Sequence, residues 1–254
     1  MTTIAMIYDY LNSLAPFESQ LGFDNSGLLI GSGGRQVHRV MIALDASTAT
    51  AAQAAEKQCQ LLITHHPVIF RPAKAIGADS AVYRLITGGV DVISAHTNLD
   101  IAAGGVNDCL AKALGFSGFE RPEWLVLGVC GELESAMSAA ELGRYVADKL
   151  ACDGVRVADG GRPVHKVALI GGAGGSEWSA LCGHVDALIT GEARHNELIE
   201  AKDAGFTLIV AGHYETESVV AEPLRRMLSE RFPGVEFLCA EELNPVTVVH
   251  PSGK

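Results

Sequence analysis

Positive charge is scarce in this chain. Its 254 residues include 19 Lys and Arg against 30 Asp and Glu, which gives a formal net charge of −11. A protein that binds the phosphates of nucleic acids or an anionic membrane usually has a basic surplus, so we expect neither partner. A small anionic substrate held by a few local arginines is still compatible with this charge.

Long hydrophobic runs are also absent, although 48% of the residues are hydrophobic. No run approaches the ~18–20 apolar residues that a membrane-spanning helix needs. The first residues carry no basic stretch, and Asp9 interrupts the first apolar segment, which argues against a signal peptide. We therefore expect a globular protein of the cytoplasm.

Paired cysteines are missing as well. The six cysteines lie far apart, with no C-x-x-C pair among them. This spacing argues against a secreted disulfide framework and against a zinc site made of thiolates. We expect free, mostly buried thiols in a reducing compartment.

The sequence does contain a regular alternation of short β-rich runs and helical patterns, which predicts an α/β fold with mixed sheets covered by helices. Strands are predicted at residues 37–44, 61–64, 90–95, 126–131, 167–171, 187–190 and 208–211. Helices are predicted at residues 3–14, 49–58, 81–87, 106–114, 139–150, 194–203 and 218–231.

A cluster of Gly, Ser and Pro at residues 115–123 marks the best candidate boundary between two halves. We predict a first half of residues 1–120, with residues 220–254 packing back onto it. Residues 121–219 then form the second half.

Two echoes in the sequence favour similar halves. LLIT at residues 61–64 and ALIT at 187–190 are each followed by an H-x₃-[DE] element, first SAHTNLD and then AGHYETE. Matches of this length also arise by chance, so the sequence leaves both a duplication and two unrelated halves open.

The strongest chemical signal is the pair His65 and His66, which follows an apolar strand and precedes Pro67. Ligands of open α/β sheets bind at the carboxyl ends of strands. Past the end of a strand, two neighbouring imidazoles can both reach one cleft. A lone histidine is often an ordinary hydrogen-bonded residue, but two in a row before a proline favour metal ligands.

Two further segments offer an imidazole and a carboxylate four positions apart at a predicted strand end: His96 with Asp100, and His213 with Glu217. On a first helical turn such residues share a face, although a carboxylate there also suits the helix dipole without any metal. With the adjacent histidine pair they form a nitrogen and oxygen ligand set, which suits Zn²⁺, Mn²⁺, Fe²⁺, Co²⁺ or Ni²⁺. One tetrahedral ion needs fewer ligands, which favours two divalent ions per subunit.

Weaker candidates lie elsewhere in the chain. The glycine-rich residues 171–175 could cradle a phosphate, but they lack the ending of a P-loop, and a plain glycine turn fits better. For the LDAST segment that contains Asp45, helix capping is the favoured role. Glu192 and His195 are candidates for a general base and a supporting partner, and an exposed helix start explains them equally well.

These motifs together resemble the GTP cyclohydrolase type 2-like family, which is also called NGG-interacting-factor-like or DUF34. The matching stretches are DNSGLLIG (24–31), THHPVIF (64–70), SAHTNLDIAAGGVND (94–108), ITGE (189–192) and AGHYETE (211–217). They occur in the family's order and cover most of the chain. Most members have Val where this chain has Ser26.

The resemblance implies a two-metal cleft between two similar α/β halves, and assembly into a ring-shaped homohexamer. The implied metal ligands are His65, His66, Asp100, His213 and Glu217. It implies that His96 is not a ligand but an auxiliary group beside the metal-bound water. Glu192 is another candidate for an auxiliary group.

Two functions of different classes follow. The first is a metal-dependent hydrolase that acts on GTP or a related nucleotide, for which Arg71, Lys74 and Arg194 are candidate contacts to the phosphates. The second is a non-enzymatic metal-binding, regulatory or stress-related protein that acts through its hexameric ring. The sequence alone does not decide between them.

Overall fold

The computed structural model describes residues 1–250, which contain ten α-helices and eleven β-strands. The helices are α1 (Ile4–Leu14), α2 (Thr48–Glu56), α3 (Ala81–Thr87), α4 (Thr97–Ile101), α5 (Val106–Ala113), α6 (Ala139–Leu150), α7 (Trp178–Leu181), α8 (His195–Asp203), α9 (His213–Glu217) and α10 (Ala221–Arg231). The strands are β1 (Gly27–Ile30), β2 (Arg39–Ala43), β3 (Leu61–Thr64), β4 (Asp91–Ser94), β5 (Phe119–Glu120), β6 (Val129–Met137), β7 (Arg156–Ala158), β8 (Val164–Ile170), β9 (Ala187–Thr190), β10 (Thr207–Val210) and β11 (Glu236–Cys239). In this part of the chain, no helix is long and apolar enough to cross a membrane.

Hydroxyl side chains fix the starts of several helices. Thr3, Ser47, Ser80 and Ser138 each accept a hydrogen bond from the backbone N–H three residues later, at α1, α2, α3 and α6 respectively. At α6, the carboxylate of Glu141 accepts a hydrogen bond from the backbone N–H of the cap residue Ser138, which completes a capping box. These bonds satisfy backbone donors that a helix start leaves without an intrahelical acceptor.

The first compact unit comprises Met1–Gly105 and Val220–Glu242. Its five-stranded sheet has the order β1-β4-β3-β2-β11. Strands β11, β2, β3 and β4 run parallel, and the edge strand β1 runs antiparallel to β4. Every residue of β3 and β4 is buried, as expected for parallel strands covered by helices. Met41, Leu62, Leu85 and Val92 belong to the core of this unit.

The second unit comprises Val106–Val219 and, among the described residues, 243–250. Its sheet has the order β5-β6-β8-β9-β10-β7. Strands β8, β9 and β10 run parallel, while β6 and β7 flank them in the antiparallel sense. Its main core cluster includes Leu110, Val129, Leu142, Val167 and Ile189.

Each unit contains the same run of elements. In the first unit the order is α1, β1, β2, α2, β3, α3, β4 and α4; in the second it is α6, β7, β8, α7, β9, α8, β10 and α9. In both runs the last three strands are parallel neighbours, and the first strand pairs antiparallel with the last. The two LIT segments are the middle strands β3 and β9. The structure therefore confirms two similar α/β halves with mixed sheets covered by helices.

The predicted elements agree with most of these bounds, and β3, β9, α3 and α6 match residue for residue. The division between the units differs from the predicted boundary at 115–123, because it lies between Gly105 and Val106. Helix α5 joins the second unit since it packs against β6 and β8. Residues 220–242 group with the first unit, and residues 243–250 group with the second.

Candidate metal centre

The histidines of the first unit lie at one edge of its sheet. His65 and His66 follow β3, and His96 follows β4 directly before α4. Strands β3 and β4 are parallel neighbours, so their carboxyl ends lie side by side. Parallel strands bind ligands at this edge, which is where the sequence placed the site.

The three imidazoles are packed against one another. The ring centroid of His65 lies 5.0 Å from that of His66 and 5.0 Å from that of His96. One ligand atom from each residue lies within 4.8 Å of the other two. A cluster of this kind matches the nitrogen donors that divalent transition metals prefer.

Each of these rings is held through its Nδ1 atom. The Nδ1 of His65 lies 2.9 Å from the carbonyl oxygen of Ala95, that of His66 lies 2.8 Å from Asp45 Oδ1, and that of His96 lies 2.8 Å from Asp24 Oδ1. Carbonyl and carboxylate oxygens only accept hydrogen bonds, so these contacts place the ring hydrogen on Nδ1. The lone pair of the neutral ring then resides on Nε2, as in a metal-binding histidine whose orientation is fixed from behind.

Asp24 is the most firmly fixed of these acceptors, because its side chain is fully buried. Its oxygens accept hydrogen bonds from the amide and hydroxyl of Thr97, the hydroxyl of Ser26 and the amide of Asn25, in addition to His96. Burial raises the pKa of this carboxyl, but the bonds from His96 and Thr97 outweigh burial and hold the pKa well below its usual range. Asp24 is therefore a carboxylate that aims the imidazole of His96.

The predicted ligand Asp100 lies in α4, four residues after His96. Its Oδ1 atom is 3.7 Å from Nε2 of His65. The structure thus gathers His65, His66, Asp100 and the auxiliary candidate His96 within the first unit, and the helical spacing of four residues accounts for the position of the carboxylate.

The second unit holds the other predicted ligands at the end of β10 and in α9. Nε2 of His213 lies 2.9 Å from Glu217 Oε2, and its Nδ1 lies 2.7 Å from Glu192 Oε1. Glu192 follows β9, the parallel neighbour of β10. Glu217 is buried, and a buried carboxylate is costly unless a cation or a hydrogen bond compensates it. Glu192 thus supports His213. The start of α8 is instead capped through Glu197, which accepts a hydrogen bond from the backbone N–H of Arg194. No role is assigned to His195.

The glycine-rich segment after β8 has a packing role. The N–H groups of Gly171, Gly172, Gly174 and Gly175 donate to Asn107, Thr216, Thr190 and the carbonyl of Glu192, respectively. These amides therefore have acceptors within the protein. This confirms the prediction of a plain glycine turn and not of a phosphate-binding loop. Gly172 has φ +63°, and a Cβ there would lie 2.0 Å from Glu217 Oε1.

Two carboxylates of the arrangement are not among the predicted site residues. Asp24 belongs to the matching stretch 24–31, and Asp45 belongs to the segment with a predicted capping role. The capping itself is confirmed, since Ser47 caps α2, but Asp45 binds His66 instead. The signal that could have revealed both is their position: Asp45 lies just after β2, the neighbour of β3, and Asp24 lies just before β1, the neighbour of β4.

Comparisons with known proteins give the chain its family. The model of the Duf34/NIF3 (NGG1p interacting factor 3) family matches residues 2–245. The GTP cyclohydrolase 1 type 2 of Helicobacter pylori is 32% identical over 235 residues, which cover 88% of this chain and 92% of the relative. A GTP cyclohydrolase 1 type 2 homolog of Clostridium perfringens is 29% identical, with 93% and 95% covered. The crystal structure of a hypothetical protein of Staphylococcus aureus is 26% identical, covers 97% of this chain and 99% of its own, and superposes with a TM-score of 0.88. The chain belongs to the Duf34/NIF3 family.

Proposed function

We propose that this protein is a metal-dependent hydrolase that acts on GTP or a related nucleotide. Its two divalent ions would be held by His65, His66, Asp100, His213 and Glu217. The observation that carries the proposal is the shared arrangement of the histidines, each with Nδ1 on a protein oxygen and Nε2 as the ligand atom. The names of the relatives, GTP cyclohydrolase 1 type 2 and its homologs, suggest the substrate class.

The donor set fits such ions. Imidazole nitrogens and carboxylate oxygens, with no thiolate, suit Zn²⁺, Mn²⁺, Fe²⁺, Co²⁺ or Ni²⁺. Two divalent ions, when bound, lower the pKa of water and polarise an electrophile. Asp45 and Glu192 hold His66 and His213 in position, which preserves the ligand geometry while a substrate enters.

Exposed cations that follow the histidine pair in the sequence are the candidates for binding an anionic substrate. Arg71 and Lys74 lie in the loop of residues 65–80 and are exposed. Within residues 1–250 the structure gives neither of them an ion pair. In a chain of net charge −11, such cations favour binding of an anionic group. We assign them, with Arg194, to the phosphates of the substrate.

Assembly and location complete the proposal. We propose a homohexameric ring, which light scattering or native mass spectrometry would test through the mass of the particle. We also propose a cytoplasmic location, because all six cysteines lie within the described residues and are free, as in a reducing compartment.

The test combines metal analysis with turnover. The chain is stripped with a chelator, reloaded with Zn²⁺ or Mn²⁺, and assayed for opening of the guanine ring of GTP by ultraviolet absorbance. We expect about two ions per chain in a two-metal site. The variants His66→Gln and Glu217→Gln should lose bound metal and turnover together.

The exposed His38 provides the matched control, because its ring lies outside the cluster, and His38→Gln should keep both properties. Turnover that survives complete removal of metal would refute the mechanism. Exchangeable ions without turnover of GTP or of a panel of nucleotides and phosphoesters would instead establish the non-enzymatic metal-binding role.

A further inference from the structure

Two exposed aromatic rings lie beside the histidine cluster of the first unit. Phe23 is 63% exposed and Phe70 is 41% exposed. Their ring centroids are 6.3 Å apart at an interplanar angle of 61°, and the ring of Phe70 lies 6.0 Å from that of His96. Single exposed apolar residues are ordinary, but exposed apolar side chains that lie together beside a polar site often mark a ligand-binding surface.

The pair is fixed to the site by its neighbours in the sequence. Asp24 binds His96, and the side-chain amide of Asn25 donates to the carbonyl of Ile69 at 2.5 Å. The segment that carries Phe23 is therefore tied to the residue before Phe70 and to a histidine of the cluster. The two rings are held in a defined position next to the metal ligands, as a binding surface requires.

The surroundings of the pair select an anionic occupant. Phe70 opens a run of exposed residues that continues through Arg71 and Lys74. The loop of residues 65–80 connects β3 to α3 without any helix or strand, and its first residues include the predicted ligands His65 and His66. Aromatic faces next to exposed cations suit a ligand that has both a planar ring and a negatively charged group.

We propose that Phe23 and Phe70 form a stacking platform for the base of a nucleotide, while Arg71 and Lys74 contact its phosphates. This inference rests on the proposed nucleotide substrate and names the residues that recognise its base. Stacking on an aromatic face accepts any base, so the platform supplies affinity for a nucleobase and leaves discrimination among bases to other groups.

The test compares ligands with and without a base on the intact, Zn²⁺-loaded protein. Binding of GTP and of inorganic tripolyphosphate is measured by calorimetry for the wild type, Phe23→Ala and Phe70→Ala. We expect each variant to bind GTP about tenfold or more weakly, with unchanged binding of tripolyphosphate and unchanged Zn²⁺ content. Phe70→Trp should retain the affinity for GTP, because it keeps an aromatic face.

Tyr83→Ala is the matched control, since Tyr83 is a similarly exposed aromatic residue on α3 and its loss should leave GTP binding unchanged. The platform is refuted if the wild type binds GTP no better than tripolyphosphate, or if both alanine variants bind GTP normally. A change in particle mass in these variants also overturns it, because the rings would then cover a second copy of the chain. If GTP binding depends on the pair but no turnover is found, the platform is supported and hydrolysis is refuted. If both variants turn over GTP with normal kinetics, hydrolysis is supported and the platform is refuted.

Discussion

Replacing Gly172 with alanine tests how closely the backbone of the second unit approaches Glu217. Gly172 has φ +63°, and a Cβ at this position would lie 2.0 Å from Glu217 Oε1 and 3.3 Å from His213 Nε2. Ordinary contact begins at about 3.4 Å, so the carboxylate oxygen must retreat by about 1.4 Å. The carboxylate ends a flexible side chain, so it can move without unfolding the protein.

The expected effects on stability and on metal binding can be separated. A non-glycine residue in the left-handed region costs about 1–2 kcal/mol, which lowers the free energy of unfolding. Metal sites tolerate ligand shifts of only about 0.2 Å, so the larger displacement of Glu217 should weaken metal binding by about 10–100-fold or more. Gly161→Ala is the matched control, because Gly161 has φ +75° in the same unit and a Cβ there would meet nothing within 4 Å.

The assay uses chelator-treated protein. Urea unfolding should show similar destabilisation of both variants, while titration with Zn²⁺ against a chromophoric chelator should show weak binding only for Gly172→Ala. Equal Zn²⁺ affinity of the two variants would refute the reasoning, because it would mean that Glu217 contributes nothing to the ions. If only Gly161→Ala lost most of its free energy of unfolding, backbone strain would dominate at these glycines and not the clash with Glu217.

Three shorter predictions concern other parts of the chain. Asp45→Asn, which removes the carboxylate behind His66, should weaken metal binding by about 10–100-fold with an unchanged circular dichroism spectrum. Ser138→Ala should cost about 1 kcal/mol in urea unfolding. Hydrogen bonds from the side chain and the backbone of Ser138 lower the pKa of Glu141, so the stabilisation from these bonds is present above the carboxyl's unfolded pKa and is lost as pH falls through its folded pKa. The variant keeps only the backbone bond, so its stability should depend less on pH. Cys182, the exposed thiol, should react with a thiol reagent at neutral pH before the others, because burial raises the pKa of four other thiols to about 11; rapid reaction of several thiols per chain would contradict this.

Elements with a strong internal pattern could be predicted from the sequence. Strands β3 and β9 are continuous apolar runs that end at a polar residue, and helix α6 has its serine cap and its glutamate three residues into the helix. The sequence pattern does not predict β1, β7 and β11, because they are edge strands of three or four residues with mixed burial. Such strands owe their conformation to the partner strand more than to their own residues.

The candidate ligands were visible in the sequence for a related reason. His65, His66 and His213 lie within three residues after a strand, where polar residues interrupt an apolar run. Asp100 and Glu217 each lie four residues after a histidine at such a strand end, so the local pattern marks them as well. The carboxylates behind the histidines depend on distant contacts: Asp24 and His96 are 72 residues apart, and Asp45 and His66 are 21 apart. Only the order of strands in the sheet brings these pairs together, and a single sequence does not display that order.

The order of strands explains all three carboxylate–histidine pairs by one rule. Asp45 follows β2 and His66 follows its neighbour β3; Glu192 follows β9 and His213 follows its neighbour β10. Asp24 precedes β1, whose antiparallel pairing places its start beside the end of β4 and hence beside His96. Neighbouring strands are about 4.8 Å apart, so polar residues that follow them lie within hydrogen-bonding reach of one another. The repeated sheet topology thus positions a supporting carboxylate one strand away from an imidazole, and the two units differ in which strands carry the pair.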